Sequence, residues 1–275
     1  MLYQEFAPAP ALRPFIRRYG ILEVPEVLPQ LIRERVMPMP GQCWVFPYSC
    51  RRPLYIDDGV KRKELPAAFS MVQSGQSYHW THNGGFCLFF VLFKPGRINP
   101  FVYTPQESGH KKPGPAKAHG LHRQILQAGS VQERISAADI FFKSFLPESF
   151  TQMGFVQEAL HQIHLDPRIK LVDLSKLLLV SPRHLRRTFK EKMGLSLKHY
   201  QQIIRISRSM HQLNEGLFEK ISDVAFRWGY YDQNHFNRAF KGFTGLTPGR
   251  YLAGDYPVTS LWYWREGVEM GAIKK

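Results

Sequence analysis

Two short segments of the chain carry basic and amide side chains at a spacing that suits the recognition of DNA bases. In each segment they recur at i, i+3, i+4 and i+7, which places them on one face of a helix. Arginine can fork to guanine O6 and N7, asparagine or glutamine can pair with adenine, and lysine suits phosphate. The candidate DNA-binding residues are Arg183, Arg186, Arg187 and Lys190 in the first segment and, with Gln233 beside the stripe, Asn234, Asn237, Arg238 and Lys241 in the second.

A basic stripe can also be no more than the solvated face of a helix. These two stripes, however, belong to two copies of one sequence unit. The segments FKEKMGLSLKHY (189–200) and FKGFTGLTPGRY (240–251) share the pattern F-K-x-x-x-G-L-[ST]-x-x-x-Y and start 51 residues apart (240 − 189). Two stripes in matching register inside a repeated unit favour DNA binding over solvated faces.

Each copy predicts a short helix, a tight turn and a second helix. Ser181 followed by Pro182, and Asp232 in the second copy, predict the N-caps of recognition helices 182–193 and 232–243. The copies, 171–193 and 221–243, are therefore predicted to be helix-turn-helix units, named here the first repeat and the second repeat. The apolar sets that predict their leading helices are Leu171, Leu174, Ser175 and Leu178, and Ile221, Val224, Ala225 and Trp228.

Between the repeats, residues 197–214 carry an apolar stripe that predicts one continuous helix. At 1.5 Å per residue it would be about 27 Å long. A rod of that length can hold two recognition helices about one DNA turn, near 34 Å, apart. We therefore expect one chain to read two successive major-groove segments without a dimer. Gly229 suits the left-handed conformation that ends a helix, whereas its counterpart Leu179 would adopt it at a cost.

The bulk composition agrees with a nucleic-acid partner. The chain has 275 residues, 44% of them hydrophobic, and a net charge of +15, which suggests about two domains and an anionic partner. Residues 166–252 hold 16 Lys/Arg and 7 Asp/Glu, so +9 of the charge lies there. The three cysteines form no C-x-x-C pair, and the chain shows neither a long apolar run nor a signal peptide. We therefore expect a cytoplasmic protein without a membrane segment.

The N-terminal half is predicted to be β-rich, which makes the fold class α+β. Short apolar runs such as QCWVFPY and FCLFFVLF lie between Pro- and Gly-containing turns, and the second run predicts a strand buried on both faces. Ser130 and Glu133 form a capping box before an apolar stripe that extends from Val131 to Phe145. That stripe either packs on its own domain or pairs with a second chain. The expected divisions are 1–115, 116–147, 148–255 and a tail, 256–275.

The segment from Ile221 to Leu252 resembles the C-terminal signature of the AraC/XylS family of bacterial transcription regulators. The similar features are the small residue Ala225, the turn at Gly229, F-x-R-x-F-K from Phe236 and G-x-T-P from Gly245. The resemblance covers about residues 150–252 and implies a sequence-specific activator that works with RNA polymerase. It also implies an N-terminal, cupin-like barrel that binds a small effector or forms a homodimer. The resemblance therefore favours a second chain as the partner of the stripe from Val131 to Phe145. The family's base-reading positions correspond here to Arg183, Arg186, Arg187, Gln233, Asn234 and Arg238.

Other functions remain open at this point. A DNA-repair or adaptive-response enzyme can carry an AraC-type domain, but it needs thiol and zinc chemistry that three unpaired cysteines do not suggest. A basic RNA-binding protein would show exposed sheet aromatics or a G-x-x-G clamp. His79 and His82 lack a third ligand at matching spacing, so we interpret them as polar surface or hairpin residues. Cys87 lies in an apolar run and is interpreted as a buried small hydrophobic residue. We assign no catalytic residue, metal or cofactor.

Overall fold

The computed structural model describes residues 2–36, 41–50, 54–57, 62–64, 68–71, 78–95, 119–146 and 154–253. The chain divides into two compact units. The N-terminal unit holds most of the chain up to Thr151, and the C-terminal unit begins at Gln152 and also includes 34–40 and 73–79. The tail 256–275 and its aromatic residues Trp262, Tyr263 and Trp264 lie outside the described residues. No described helix has the length and apolarity needed to cross a membrane.

The N-terminal unit is built on a sheet with the order β1-β2-β7-β3-β6, with β4 and β5 attached beside β7. The described pairings are antiparallel, from Leu2↔Glu23 between β1 and β2 to Cys43↔Leu92 between β3 and β7. The register of β3 shifts at Pro47, which cannot donate a ladder hydrogen bond. The strands are β1 (Leu2–Phe6), β2 (Ile16–Val36), β3 (Cys43–Cys50), β4 (Tyr55–Asp57), β5 (Arg62–Glu64), β6 (Phe69–Met71) and β7 (Tyr78–Phe93).

Aromatic rings fill the core of this unit. Trp44, Phe93 and Phe142 pack pairwise with centroids 5.5 to 5.7 Å apart, which joins strands β3 and β7 to helix α2 (Val131–Lys143). Helix α1 (His119–Gln127) contributes Leu121 and Ile125 to the same cluster. Residues on both faces of β7 are buried, as the apolar run predicts, with Cys87 only partly covered. Ring packing therefore accounts for the many aromatic residues of this half.

Helix α2 begins at the predicted cap but uses it differently. The Ser130 hydroxyl accepts from the Glu133 amide at 3.2 Å, whereas the Glu133 carboxylate accepts from Gly129, one residue earlier than in a capping box. The stripe through Ile135, Ala138 and Phe142 is buried in the core of its own unit. The stripe therefore packs on its own domain, the alternative we did not favour, because the sheet offers an apolar face that the helix can cover. A homodimer stays a prediction.

The C-terminal unit is helical throughout its described part from residue 154. The connecting helix and both repeats have the predicted positions, except that the second recognition helix begins one residue later, at Gln233, because Asp232 is its N-cap. The helices are α3 (Phe155–Leu165), α4 (Leu171–Leu177), α5 (Pro182–Met193), α6 (Leu197–Asn214), α7 (Ile221–Arg227), α8 (Gln233–Thr244) and α9 (Pro248–Leu252).

We predict that Asp139→Ala destabilises the N-terminal unit. The Asp139 carboxylate accepts from the Tyr19 hydroxyl at 2.8 Å and from the Ala9 amide at 3.1 Å, and Tyr19 is fully buried. Leaving these donors unpaired should lower the free energy of unfolding by about 1–3 kcal/mol in urea titrations of the full chain. Asp139→Asn keeps an acceptor oxygen and should lose less. Equal losses for the two variants would show that the carboxylate's hydrogen bonds are not what stabilises this contact.

Candidate nucleic-acid interface

The leading helix of each repeat ends in the same hydrogen-bonded turn. Leu179 and Gly229 adopt left-handed conformations with φ of 54° and 74°, so leucine occupies in the first repeat the conformation that glycine supplies in the second. Each turn is closed by the six-residue bond of a Schellman motif. The two closing bonds are Val180 N to Ser175 O at 3.0 Å and Tyr230 N to Ala225 O at 2.9 Å. The repeats are therefore equivalent in backbone geometry up to this point.

The two repeats differ by one residue directly after the turn. The first passes from Leu179 through Val180 to the cap Ser181, whereas the second has both Tyr230 and Tyr231 before Asp232. The extra residue is Tyr231, whose side chain is 86% exposed. This insertion explains why the leading helices match at an offset of 50 residues (221 − 171) and the recognition helices at 51 (240 − 189).

Both recognition helices have a side-chain cap and a buried apolar face. The Ser181 hydroxyl accepts from the His184 amide at 3.2 Å, and the Asp232 carboxylate accepts from the His235 amide at 2.6 Å. Both helices end at a left-handed glycine, Gly194 or Gly245. The buried faces are Leu185, Phe189 and Met193 on α5, and Phe236, Phe240 and Phe243 on α8. Each helix is thus fixed by one face, which leaves the opposite face to solvent.

The sequence-predicted side chains lie on those opposite faces. All four candidates on α5 are exposed, and so are four of the five on α8. The exception is Asn237, which is half-buried, and its buried Oδ1 has no hydrogen-bond partner within the described residues. Arg187 Nε lies 4.0 Å from the Glu191 carboxylate, but both side chains are more than half exposed, so the pair is weak. The arginine can therefore exchange this contact for a base or a phosphate.

Helix α6 is the predicted rod between the two repeats. It runs unbroken for 18 residues from Leu197 to Asn214, which corresponds to about 27 Å. Its N-cap is Ser196, whose hydroxyl accepts from the His199 amide. The predicted apolar stripe is buried along its whole length, with Tyr200, Ile203, Ile204, Met210 and Leu213.

A stripe of polar side chains on α6 forms hydrogen bonds with neighbouring segments. The sequence alone did not indicate this role. Gln201 donates to Ile169 O at 2.7 Å, Arg208 donates to His164 O, and Gln212 accepts from Trp228 Nε1 at 2.8 Å. With Arg205 these residues recur at i, i+4, i+7 and i+11. That spacing is the one feature of the sequence that could have revealed the stripe, but polar residues on a solvent-facing helix surface have the same spacing. Burial also lowers the pKa of the Arg208 guanidinium.

Arg205 binds the turn of the second repeat with two hydrogen bonds and one cation–π contact. Its Nε donates to Trp228 O and its Nη2 to Gly229 O, both at 2.6 Å, and its Cζ lies 4.1 Å from the centroid of the Tyr230 ring. Burial raises the pKa of Tyr230 to about 12, so the ring stays neutral beneath the cation at neutral pH. Arg168 contacts the same turn, since its Cδ lies 2.8 Å from where a Cβ on residue 229 would be. Gly229 is therefore favoured by its positive φ, and a side chain there would also require Arg168 to move.

Known proteins resemble this part of the chain. Residues 174–254 match a family model described as a helix-turn-helix domain. The C-terminal region therefore carries an AraC-type helix-turn-helix domain. Among curated relatives, the uncharacterized HTH-type regulator YbfI of Bacillus subtilis is 35% identical over 98 residues, 36% of this chain and 34% of that protein. The HTH-type transcriptional activator RhaR of Pectobacterium atrosepticum is 38% identical over 71 residues, 26% of this chain and 25% of RhaR.

The chain therefore spans between a quarter and about a third of the length of these curated relatives. A longer match exists in fold. A crystal structure of an apo ToxT variant from Vibrio cholerae aligns with 86% of this chain and 97% of ToxT, at a TM-score of 0.51 and 14% identity. At that identity the match speaks to fold, and it confirms the α+β class, in which a β-rich N-terminal part precedes the AraC-type domain.

His82, one of the two candidate metal residues, is held by ordinary contacts in the core of the N-terminal unit and does not lie on its surface. The His82 ring is buried, its Nδ1 accepts from the Gly84 amide at 3.2 Å, and it packs edge-on against Phe86. Across the residues that the structure describes, no group of three His, Cys, Asp or Glu could hold a metal ion. Burial raises the pKa of the Cys50 thiol, with Cys87 nearby, which disfavours a reactive thiolate.

We predict that Leu179→Gly stabilises the AraC-type domain. Leu179 is 93% exposed and pays about 1–2 kcal/mol for its left-handed conformation, which exceeds the entropy that glycine adds to the unfolded chain. The free energy of unfolding should rise by about 0.5–1 kcal/mol in urea titrations. The matched control is Leu177→Gly, the exposed last residue of α4, where glycine relieves no left-handed strain and should lower the free energy of unfolding by up to about 1 kcal/mol. A loss at both positions would mean that the Leu179 side chain makes a stabilising contact.

Proposed function

We propose that this chain is a sequence-specific, DNA-binding transcription regulator that reads two successive major-groove segments with α5 and α8. The observation that carries the proposal is the pair of exposed recognition faces, in matching register, on helices joined by one unbroken rod. Relatives of the AraC-type domain are named as transcription regulators, and RhaR as an activator. Those names support a regulator, and an activator in particular, over a DNA-repair enzyme or an RNA-binding protein.

Chemistry assigns a separate role to each kind of side chain on the two faces. Arg183, Arg186 and Arg187 on α5 suit guanine, whereas Gln233 and Asn234 on α8 suit adenine, with Arg238 available for a guanine beside it. Lys190 and Lys241, in the last turns of their helices, suit phosphates that set register without reading sequence. Asn237 presents less of its amide than the others because its oxygen is buried.

The remaining parts of the proposal concern organisation and partners. Residues 148–255 form the DNA-binding domain, residues 1–115 a regulatory domain, and 116–147 the connection between them. RNA polymerase is the proposed partner of an activator bound to DNA. A small-molecule effector and a homodimer are proposed for the N-terminal part. Because rings fill the core of that unit, an effector would need a site other than the Trp44–Phe93–Phe142 cluster.

We predict that Arg187→Ala and Arg238→Ala each relax specificity at a different segment of the site. Each loss should be about 1–3 kcal/mol on a duplex selected from a random library by the full chain, and smaller on random DNA. Fluorescence anisotropy at one fixed salt concentration measures both. The control Lys198→Ala removes an exposed charge at the start of α6 and should leave the ratio of the two affinities unchanged. Equal losses on selected and random duplexes would place both arginines on phosphates.

We predict that residues 148–255 fold and bind DNA alone, more weakly than the full chain. Both repeats and α6 lie in this segment, and the buried faces of α5, α6 and α8 pack within it. Near-UV circular dichroism should show ordered aromatic residues, and anisotropy should show binding to the selected duplex. A fragment without near-UV signal would mean that the domain boundary is misplaced. A folded fragment that prefers structured RNA to duplex DNA at the same salt would instead contradict the proposed function.

A further inference from the structure

We propose that Arg205, supported by Arg168, fixes the second recognition helix against α6 and thereby restricts the chain to operators with one spacing between their two segments. The inference rests on the proposed function, because it concerns how the two DNA-reading helices are held. It assigns to Arg205 a positioning role, which does not require this residue to touch DNA. A rod alone cannot supply such a restriction, since α6 fixes the distance between its own ends and not the direction of α8.

The direction of α8 depends on the turn that precedes it. Only Tyr230, Tyr231 and Asp232 separate Gly229 from the start of α8, where Gln233 and Asn234 lie. Arg205 binds the carbonyls of Trp228 and Gly229 at the same time and stacks on Tyr230. A planar guanidinium with two hydrogen bonds and a ring contact fixes an orientation as well as a distance. Any rotation of the turn about α6 would break at least one of these contacts.

A third segment meets the same turn. Arg168 lies in the connection before α4, on the side of the first repeat, and its Cγ and Cδ pack where a side chain on residue 229 would have to lie. Arg168 is itself held by Asp166, whose Oδ1 accepts from the Arg168 amide at 2.9 Å and from Nε at 3.2 Å. The turn of the second repeat is therefore bound by the rod and contacted by the segment that leads into the first repeat.

The first repeat has a different arrangement at the equivalent point. Its turn residue Leu179 is 93% exposed. On that side, the described hydrogen bonds from α6 side chains go instead to the carbonyl oxygens of Ile169 and His164, before α4. The contrast shows that the turn sequence does not itself require a bound arginine, because Leu179 adopts the same left-handed conformation with its side chain exposed. The contacts of Arg205 are thus specific to holding the second repeat.

The consequence for DNA follows from the geometry of the duplex. One added or removed base pair between the segments moves the second segment by about 3.4 Å and rotates it by roughly 35°. A rigid pair of recognition helices cannot follow that change. We therefore expect the wild-type chain to prefer its selected spacing by about tenfold to a hundredfold, comparable to the effect of one mismatched base pair.

The experiment compares this preference in full-length variants. A duplex selected by the wild-type chain is compared with duplexes that have one base pair added or removed between the two segments, in competition binding at one salt concentration. Arg205→Met keeps the side-chain stem and removes the guanidinium, and it should reduce the preference to less than about threefold. Arg168→Ala should reduce it partly and, because that side chain is 57% exposed, should leave folding intact. Lys198→Met removes the same charge from an exposed position on α6 and should keep the wild-type preference.

Each outcome decides between distinct conclusions. Loss of spacing preference in Arg205→Met, with near-UV dichroism and affinity for a single segment retained, supports the proposal. An unchanged preference in Arg205→Met, or the same loss in Lys198→Met, overturns it. If Arg205→Met does not fold, an unchanged preference in Arg168→Ala overturns the proposal and a partial loss supports it. A wild-type chain that selects a two-segment duplex but tolerates every spacing also overturns the proposal. A wild-type chain that selects no duplex contradicts the proposed function itself.

Discussion

The C-terminal unit depends on one backbone constraint in each repeat. The residue after the leading helix, Leu179 or Gly229, must adopt a left-handed conformation. It reverses the chain tightly enough for the recognition helix to pack its apolar face against the helices of its own repeat. In the second repeat the constraint is doubled, because residue 229 must also leave room for Arg168. Glycine meets both conditions without strain and without moving Arg168, whereas the first repeat meets the conformational one with leucine, at a cost in stability.

The sequence predicts this unit well because its signals are local. Caps such as Ser181 and Asp232, the left-handed turn at Gly229, and the period of the apolar stripes all act within a few residues, and the structure confirms them. The contacts of Arg205 were missed for a physical reason. A side chain that binds main-chain carbonyls 23 and 24 residues away follows the same helical spacing as one that faces solvent.

The N-terminal sheet shows the opposite case. Its strands could be recognised from QCWVFPY and FCLFFVLF, but strand order depends on pairings far apart in sequence, such as Cys43 with Leu92. No local pattern states that β7 lies between β2 and β3. The prediction that the α2 stripe pairs with a second chain was wrong for the same reason. The sequence pattern of a buried helix face is the same whether the face covers its own sheet or a second chain.

The net charge alone would also overestimate the number of basic side chains that the C-terminal unit can present to DNA. Arg205 and Arg208 count toward the net charge of +9 between residues 166 and 252, yet both donate hydrogen bonds to backbone carbonyls within the protein.

The exposed faces of the two recognition helices differ in the chemical type of their side chains. The first presents three arginines and a lysine, and the second presents amides with one arginine and one lysine. Arginine favours guanine and amides favour adenine, so two repeats with one backbone geometry are suited to different bases. One chain with fixed repeat order would then require an asymmetric site and define its orientation, which a symmetric dimer of a single repeat cannot do.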